Sequence, residues 1–337
     1  MDRNELVDVL SRLSSARIGV VGDFCLDGYW ECDFSGSEIS VETGLSTHAV
    51  RTQRYGLGGA GNVAANLASL GVGLIECFGV ISHDPFGRQM EDLFSGWGIG
   101  HGNVLVQEVG WATHTYIKPI DGDVEGNRLD LGNFNVLADE LAMALLDRLE
   151  SRLEGLDVVI VNQQVRSGIH SSKIFSMGLK SLLSRHGESC FLLDSRSMCG
   201  FYGDAICKLN TYEAMKLLGK SGARPDAMLG LTECKGLARE LFELRKHPIV
   251  LTCGERGCLV ADAEDCRVIP AVRIEGKTDT VGAGDSLLAG VAAGLAAGCT
   301  LPQAASLGNL AAGVTVQKLH QAGTATAEEV LAIGSKA

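Results

Sequence analysis

Short apolar runs alternate along this chain with longer stretches in which apolar residues recur every three or four positions. Ile18-Gly-Val-Val-Gly22, Asp157-Val-Val-Ile-Val161, Cys190-Phe-Leu-Leu193, Pro248-Ile-Val-Leu-Thr252 and Gly257-Cys-Leu-Val260 read as strands. The helical period predicts helices near 60–70, 86–95, 137–154, 170–185, 212–219 and 229–245. Strands alternating with helices imply βαβ units, hence an α/β fold with a mostly parallel sheet covered on both faces. Beyond Gly282 the alternation stops. Ala-rich helical segments fill 283–298 and 302–319, and Thr300-Leu-Pro302 breaks them and starts the second.

Residues 28–57 and about 101–134 do not follow this rhythm. They hold polar, β-prone pieces such as Thr47-His-Ala-Val-Arg-Thr52 and Ala112-Thr-His-Thr-Tyr-Ile-Lys118. Structureless loops of that length are uncommon in compact domains, so a small β lid standing off the core is expected. The expected organisation is one domain over 1–337, with a core of about 16–27, 58–100 and 135–333 and a lid of 28–57 and 101–134.

Composition then narrows the partners. Hydrophobic residues make up 46% of the 337 and charged residues 21%, yet no run approaches the roughly 20 apolar positions of a membrane helix. The N-terminus mixes acids and bases on an amphipathic repeat and lacks the layout of a secretory signal, so the cytoplasm is the expected location and no membrane partner is expected. A formal charge of −12 without a Lys/Arg cluster argues against nucleic acid. The eleven cysteines are scattered, odd in number and without a C-x-x-C pair. They read as small buried hydrophobes rather than a disulfide frame or zinc site.

The chemistry concentrates in Lys277-Thr-Asp-Thr-Val-Gly-Ala-Gly-Asp-Ser286, which follows a strand-like segment and opens a helix near Ala283. Small residues at a helix start leave backbone N–H groups free, and the helix dipole adds positive potential. Glycines let phosphate oxygens approach closely, and Asp285 on the first turn lies within reach of an attacking hydroxyl. Packing alone would give a different account, with Gly-Ala-Gly allowing close helix contact and Asp285 capping the helix. The flanking Asp279-Thr280 and the final Asp285 favour the phosphate reading.

Asp279-Thr-Val-Gly-Ala-Gly-Asp285 is the D-T-x-G-A-G-D signature, and by it the chain resembles the ribokinase-like (phosphofructokinase-B type) carbohydrate kinases. The resemblance implies that Asp285 is the catalytic base and that Gly282, Ala283 and Gly284 form the anion hole for the transferring phosphate. Gly58-Gly-Ala-Gly-Asn-Val-Ala64 resembles the family's first signature, and Gly58, Gly59 and Asn62 read as sugar-binding. Gly22-Asp23 and Asp27, at the end of the first strand, are placed by the same resemblance among the substrate-binding acids. Alone, a strand-end Asp is as often a turn former. Asn210-Thr-Tyr-Glu213 resembles the N-x-x-E motif, implying that Glu213 organises magnesium, often through water, and that Asn210 lies near the phosphates. The same pair also reads as a capping box. Thr252-Cys-Gly-Glu-Arg-Gly257 resembles the T-x-G-x-x-G turn beside the nucleotide, so Thr252, Gly254 and Gly257 join Asn309 as nucleotide-binding candidates.

The resemblance runs from about residue 16 to about 333 and implies ATP, Mg2+, a monovalent cation such as K+, and a homodimer formed through the lid. Gly22-Asp-Phe-Cys-Leu-Asp-Gly-Tyr-Trp30, Arg128-Leu-Asp130 and the tail from Ala312 to Thr324 are most similar to the heptose-7-phosphate 1-kinase branch. Two segments depart from it: Ser37-Glu-Ile-Ser-Val-Glu-Thr43 lacks the branch's Pro and Arg, and Asp194-Ser-Arg-Ser197 carries Arg196 where lysine is usual. Arg128 and Arg196 are both candidates to clamp a sugar phosphate, since guanidinium offers a bidentate fork. Another sugar kinase of the family, or a sugar-binding protein without catalysis, is the alternative. A dinucleotide fold is excluded because no G-x-G-x-x-G joins a strand to a helix.

Overall fold

The computed structural model describes residues 1–122, 124–224, 229–319 and 322–335. The chain enters through α1 (Arg3–Arg12), β1 (Arg17–Gly22), β2 (Phe24–Cys32) and β3 (Val50–Gly59). Next come α2 (Ala60–Leu70), β4 (Leu74–Ile81), α3 (Pro85–Gly96), β5 (Gly100–Val106), β6 (His114–Asp121), β7 (Val124–Glu125) and β8 (Leu129–Leu131). The middle holds α4 (Asp139–Arg152), β9 (Val158–Gln163), α5 (Lys173–Arg185), β10 (Phe191–Ser195), β11 (Ile206–Asn210), α6 (Thr211–Leu217) and α7 (Leu231–Arg245). It closes with β12 (Ile249–Thr252), β13 (Cys258–Ala261), β14 (Cys266–Ile269), α8 (Ala283–Ala296), α9 (Leu301–Thr315) and α10 (Ala327–Gly334).

Nine strands form the large sheet in the order β14-β13-β12-β11-β10-β9-β1-β4-β5. Pairing is parallel from β5 through to β12 and antiparallel only at the β12-β13-β14 end. The core strands are buried on both faces, as β1 and β9 show, which is why they read as unbroken apolar runs. One face packs against α1, α2, α3, α8 and α9 in a cluster that includes Ile18, Val20, Ile160 and Leu192. The other packs against α4, α5 and α7 through Val159, Val161, Leu193 and Leu251.

A second sheet carries β3-β2-β6-β7, with β8 on β6. Its bounds correct one expectation. β5 pairs in parallel with β4 and belongs to the large sheet, so only the part of 101–134 from β6 onward stands in the small sheet. The run Val104-Leu-Val106 supplies apolar residues toward both layers, which suits a strand of the large sheet, here its edge, better than a wet lid. The small sheet also starts earlier than residue 28, at Phe24, so β1 and β2 are nearly continuous across Asp23.

α8 and α9 approach unusually closely, which their small residues permit. A Cβ on Gly290 would lie 2.7 Å from the Gly308 Cα, one on Gly294 2.7 Å from the Ala304 Cα, and one on Gly308 2.6 Å from the Leu287 carbonyl oxygen. This packing fixes the axis of α8, and with it the place of Asp285. Gly308→Ala is expected to cost about 1–3 kcal/mol by overpacking, read as a lower urea midpoint with an unchanged slope.

Candidate active site

Parallel strands present their C-terminal ends along one edge, where loops and helix starts converge. Gly22, Asn162, Asp194 and Lys208 are in register across β1, β9, β10 and β11, so their side chains share a face. That face lies under the first turn of α8. Gly282 caps the helix in the left-handed region at φ 76°, without a side-chain cap, a conformation that glycine adopts without strain.

The amides of this turn are not all alike. Ala283 N–H donates to the Thr280 carbonyl at 3.2 Å, which corrects the expectation that the Ala283 amide is an open donor. Gly284 and Asp285, in the first turn, have no intrahelical acceptor. The ammonium of Lys208 lies 3.3 Å from where a Gly284 Cβ would sit. A buried cation beside a helix N-terminus concentrates positive potential at one point, and that arrangement calls for an anion between them.

Carboxylates face this potential. Asp194 accepts from the Lys208 ammonium at 2.9 Å, and both residues are buried. Burial alone would lower the Lys208 pKa, but Asp194 first, with Glu213 and Asp285, holds it above the ordinary lysine value. Asp285 Oδ2 accepts from Asn62 Nδ2 at 2.7 Å. The Asp285 pKa is raised to about 6: desolvation raises it most, the bond from Asn62 pulls it down, Asp194 and Asp27 raise it, and Lys208 lowers it. Asp285 therefore stays ionised at neutral pH yet is a stronger base than a solvated aspartate.

The neighbouring motifs reach the same edge. Asn210 and Glu213 form a reciprocal capping box on α6, at 2.8 and 2.9 Å, so Glu213 spends one oxygen on the Asn210 amide. Burial followed by the charge of Asp194 raises the Glu213 pKa against that bond. Thr252 is in register with Asn210, which places the turn at Gly254 and Gly257, both at positive φ, beside the capping box. A cleft of about 250 Å³ opens here, lined by Ser195, Arg196, Ser197, Glu213 and Lys216. Ser195, Ser197 and Glu213 bring oxygens to it, and Arg196 and Lys216 bring positive charge.

Four of the expected site residues already have partners within the chain. Asp23 is buried and accepts from the amides of Gln164, Val165 and Ile169 at 2.9, 3.1 and 3.1 Å. It ties down the loop after β9. Asn62 is also buried, with its amide spent on Asp285 and Asn66. Asn309 donates to the carbonyls of Ile269 and Pro270 at 2.9 and 3.1 Å, so it braces the segment after β14 instead of offering its donors to adenine. Arg128 already holds Asp130 through two bonds of 2.5 and 2.7 Å and stacks on the Tyr116 ring.

The remaining candidates face the gap between the two sheets. Arg196 bonds Gln164 through Nε at 3.0 Å and has no carboxylate at ion-pair distance among the described residues. Asp27, on β2, lies 3.3 Å from Lys118 Nζ, which also sits over the Tyr29 ring. Gly58 leaves room for Asp27, whose Oδ2 would be 2.8 Å from an added Cβ. Gly59 caps α2 at φ 55° and passes close to the Asp23 carbonyl.

Lys208 and Lys118 were not singled out from the sequence. A signal for Lys208 existed: a lone charge inside the apolar strand Ile206-Cys-Lys-Leu-Asn210, two residues before an N-x-x-E motif. Lys118 gave none beyond its strand.

A helix start with open amides, a buried lysine and a carboxylate thus converge above the strand edge. The chain belongs to the pfkB family of carbohydrate kinases, whose model matches residues 28–327. Among curated relatives, the bifunctional protein HldE of Trichlorobacter lovleyi is 30% identical over 339 residues, covering 99% of this chain and 66% of that protein. HldE of Shewanella loihica is 29% identical over 331 residues, covering 95% and 63%. The chain thus spans a little under two thirds of these relatives' length. Among solved structures, Escherichia coli phosphofructokinase-2 in complex with fructose-6-phosphate superposes with a TM-score of 0.71 at 17% identity, over 95% of this chain and 99% of that one. Arabidopsis thaliana ribokinase with ribose and ATP gives 0.70 at 16%, over 95% and 98%. The fold is ribokinase-like, and the protein is a sugar kinase.

Asp23→Asn replaces an acceptor-only carboxylate with an amide that can satisfy fewer of the three amides. It is expected to cost about 1–3 kcal/mol of stability, read by urea unfolding, while nucleotide affinity changes less than twofold.

Proposed function

We propose that this chain transfers the ATP γ-phosphoryl group to a hydroxyl of a sugar phosphate, with a heptose 7-phosphate acting through its 1-hydroxyl as the first candidate. The supporting observation is the convergence of the α8 N-terminus, Lys208 and Asp285 at one point. Kinases of this chemistry work by positioning and charge stabilisation. The free amides of Gly284 and Asp285 and the Lys208 ammonium would receive the charge on the transferring group. Asp285 would take the proton of the attacking hydroxyl. Glu213 would hold magnesium through water, and the ion would neutralise phosphate charge when bound. Thr252, Gly254 and Gly257 would border the nucleotide, and a K+ ion near the anion site fits the family.

The substrate reading is supported by Arg196 and Lys118, which offer cations to a substrate phosphate on the cleft between the sheets. It is also supported by the HldE relatives at about 30% identity, and by the similarity to heptose-7-phosphate 1-kinases. Gly58, Gly59 and Asp27 line the sugar side. The small sheet would close over the sugar as a lid, excluding water and limiting ATP hydrolysis, and would pair with a second copy in a homodimer. No helix among the described residues is long and apolar enough to cross a membrane, and a cytoplasmic location is part of the proposal.

The test is an ATP-consumption screen over heptose phosphates, hexose phosphates, hexoses, pentoses and nucleosides. Turnover fastest on a heptose 7-phosphate is expected, and turnover confined to nucleosides or free pentoses would reject the substrate. Asp285→Asn should bind ATP and sugar nearly as the parent does while kcat falls by at least about a hundredfold, the low end for a lost general base. Near-normal turnover would remove Asp285 from that role. Because the base must be ionised, kcat/KM should fall tenfold per unit as pH drops below about 6.

A further inference from the structure

Behind Asp285 lies a chain of buried polar side chains that touches neither cleft nor solvent. Asn66 on α2, Ser286 on α8 and Thr315 on α9 are buried to 1% exposure or less. Asn66 Nδ2 donates to the Asn62 main-chain carbonyl at 2.9 Å and lies 3.3 Å from Asn62 Oδ1. Ser286 Oγ is 2.7 Å from Asn66 Oδ1 and 2.7 Å from Thr315 Oγ1, which in turn is 3.1 Å from the Ala311 carbonyl.

The directions of these bonds follow from valence. A main-chain carbonyl can only accept, so the NH2 of Asn66 must face Asn62 and its Oδ1 must face Ser286. That carbonyl oxygen also only accepts, so the single Ser286 proton goes to Asn66. The proton of Thr315 is then left for Ser286 or Ala311. The second N–H of Asn66 points at the Asn62 side chain, which must answer with Oδ1. Asn62 is thereby obliged to turn its own NH2 toward Asp285. From Ser286 through Asn66 to Asn62, each donor points the same way, toward the carboxylate.

We propose that Asn66 and Ser286, backed by Thr315, are positioning residues that lock the amide of Asn62 with its donor on Asp285, keeping this carboxylate ionised as the base. Without the lock, Asn62 can flip and set a carbonyl oxygen against Asp285, which favours the protonated acid. The other groups that face Asp285 do not supply the lock. Asp194 on β10 and Asp27 on β2 both favour protonation, and Lys208 on β11 is already shared with Asp194. This inference deepens the proposal for Asp285 and rests on it for its catalytic meaning, but the geometry of the lock does not depend on turnover.

The test is therefore a direct titration. The full chain, labelled with carboxyl-13C aspartate, is followed by NMR from pH 4 to 8, with Asp285→Asn identifying the resonance. Asn66→Asp presents an acceptor where Asn62 now meets a donor, and should raise the Asp285 midpoint by about one pH unit or more, a tenfold change in its ionisation equilibrium. Ser286→Ala should shift it in the same direction by a smaller amount, and Ser286→Thr, which keeps the hydroxyl, should restore the parent value. If Asn66→Asp does not fold, Ser286→Ala decides. A midpoint that stays within 0.2 units in the folded variants, with only urea stability reduced, would overturn the positioning role. Absence of turnover in the parent chain with a normal titration shift would instead reject the kinase reading and leave the lock standing.

Discussion

The site depends on keeping one carboxylate charged while it is drawn out of water. Asp285 occupies the first turn of α8, where the dipole favours an anion, but its surroundings cost it hydration and set Asp194 and Asp27 against it. Asn62 and Lys208 tip the balance back. Neither alone is a strong effect. Together with the helix start they hold a carboxylate whose pKa lies near 6, above that of a solvated aspartate and still ionised at neutral pH.

The rest of the fold can be understood as what holds those three groups in place. Lys208 is set by strand register, directly opposite Asp194 on the adjoining strand, so its partner is fixed by the sheet and not by a flexible loop. Asn62 is set by α2, which the left-handed Gly59 turns sharply away from β3. Asp285 is set by α8, whose axis is fixed against α9 by contacts that admit no side chain at Gly290, Gly294 and Gly308. The small sheet contributes Asp27 and Lys118 from one side, and Asp23 anchors the loop after β9 where the two sheets part. Buried polar groups that are paired rigidify their surroundings, and here Asn62, Asn66, Ser286 and Thr315 join α2, α8 and α9.

Much of this was legible in the sequence, and the failures have physical causes. β1, β9, β10, β12 and β13 announce themselves as apolar runs because a parallel sheet is buried on both faces. β11 does not, since Lys208 interrupts it, and the same charge that hides the strand marks the site. β5 was placed in the lid because Gly100-His-Gly-Asn103 begins it with polar residues at the sheet margin. The motif glycines and Asp285 could be found because their spacing is rigid along one chain segment. Asp23, Asn62 and Asn309 could be found as polar residues near motifs, but not as inward-facing ones. Which way a short polar side chain turns is decided by backbone groups more than a hundred residues away, as with Asp23 and the amides after β9.

The most direct measurement is a crystal structure of the chain with magnesium, a non-hydrolysable ATP analogue and a heptose 7-phosphate. The account predicts the terminal phosphate against the amides of Gly284 and Asp285 with Lys208 beside it. It also predicts the acceptor hydroxyl within about 2.6–3.2 Å of a free oxygen of Asp285, and Asn62 still donating to the other. A terminal phosphate bound away from the α8 start, or an acceptor hydroxyl held by a different base, would contradict it.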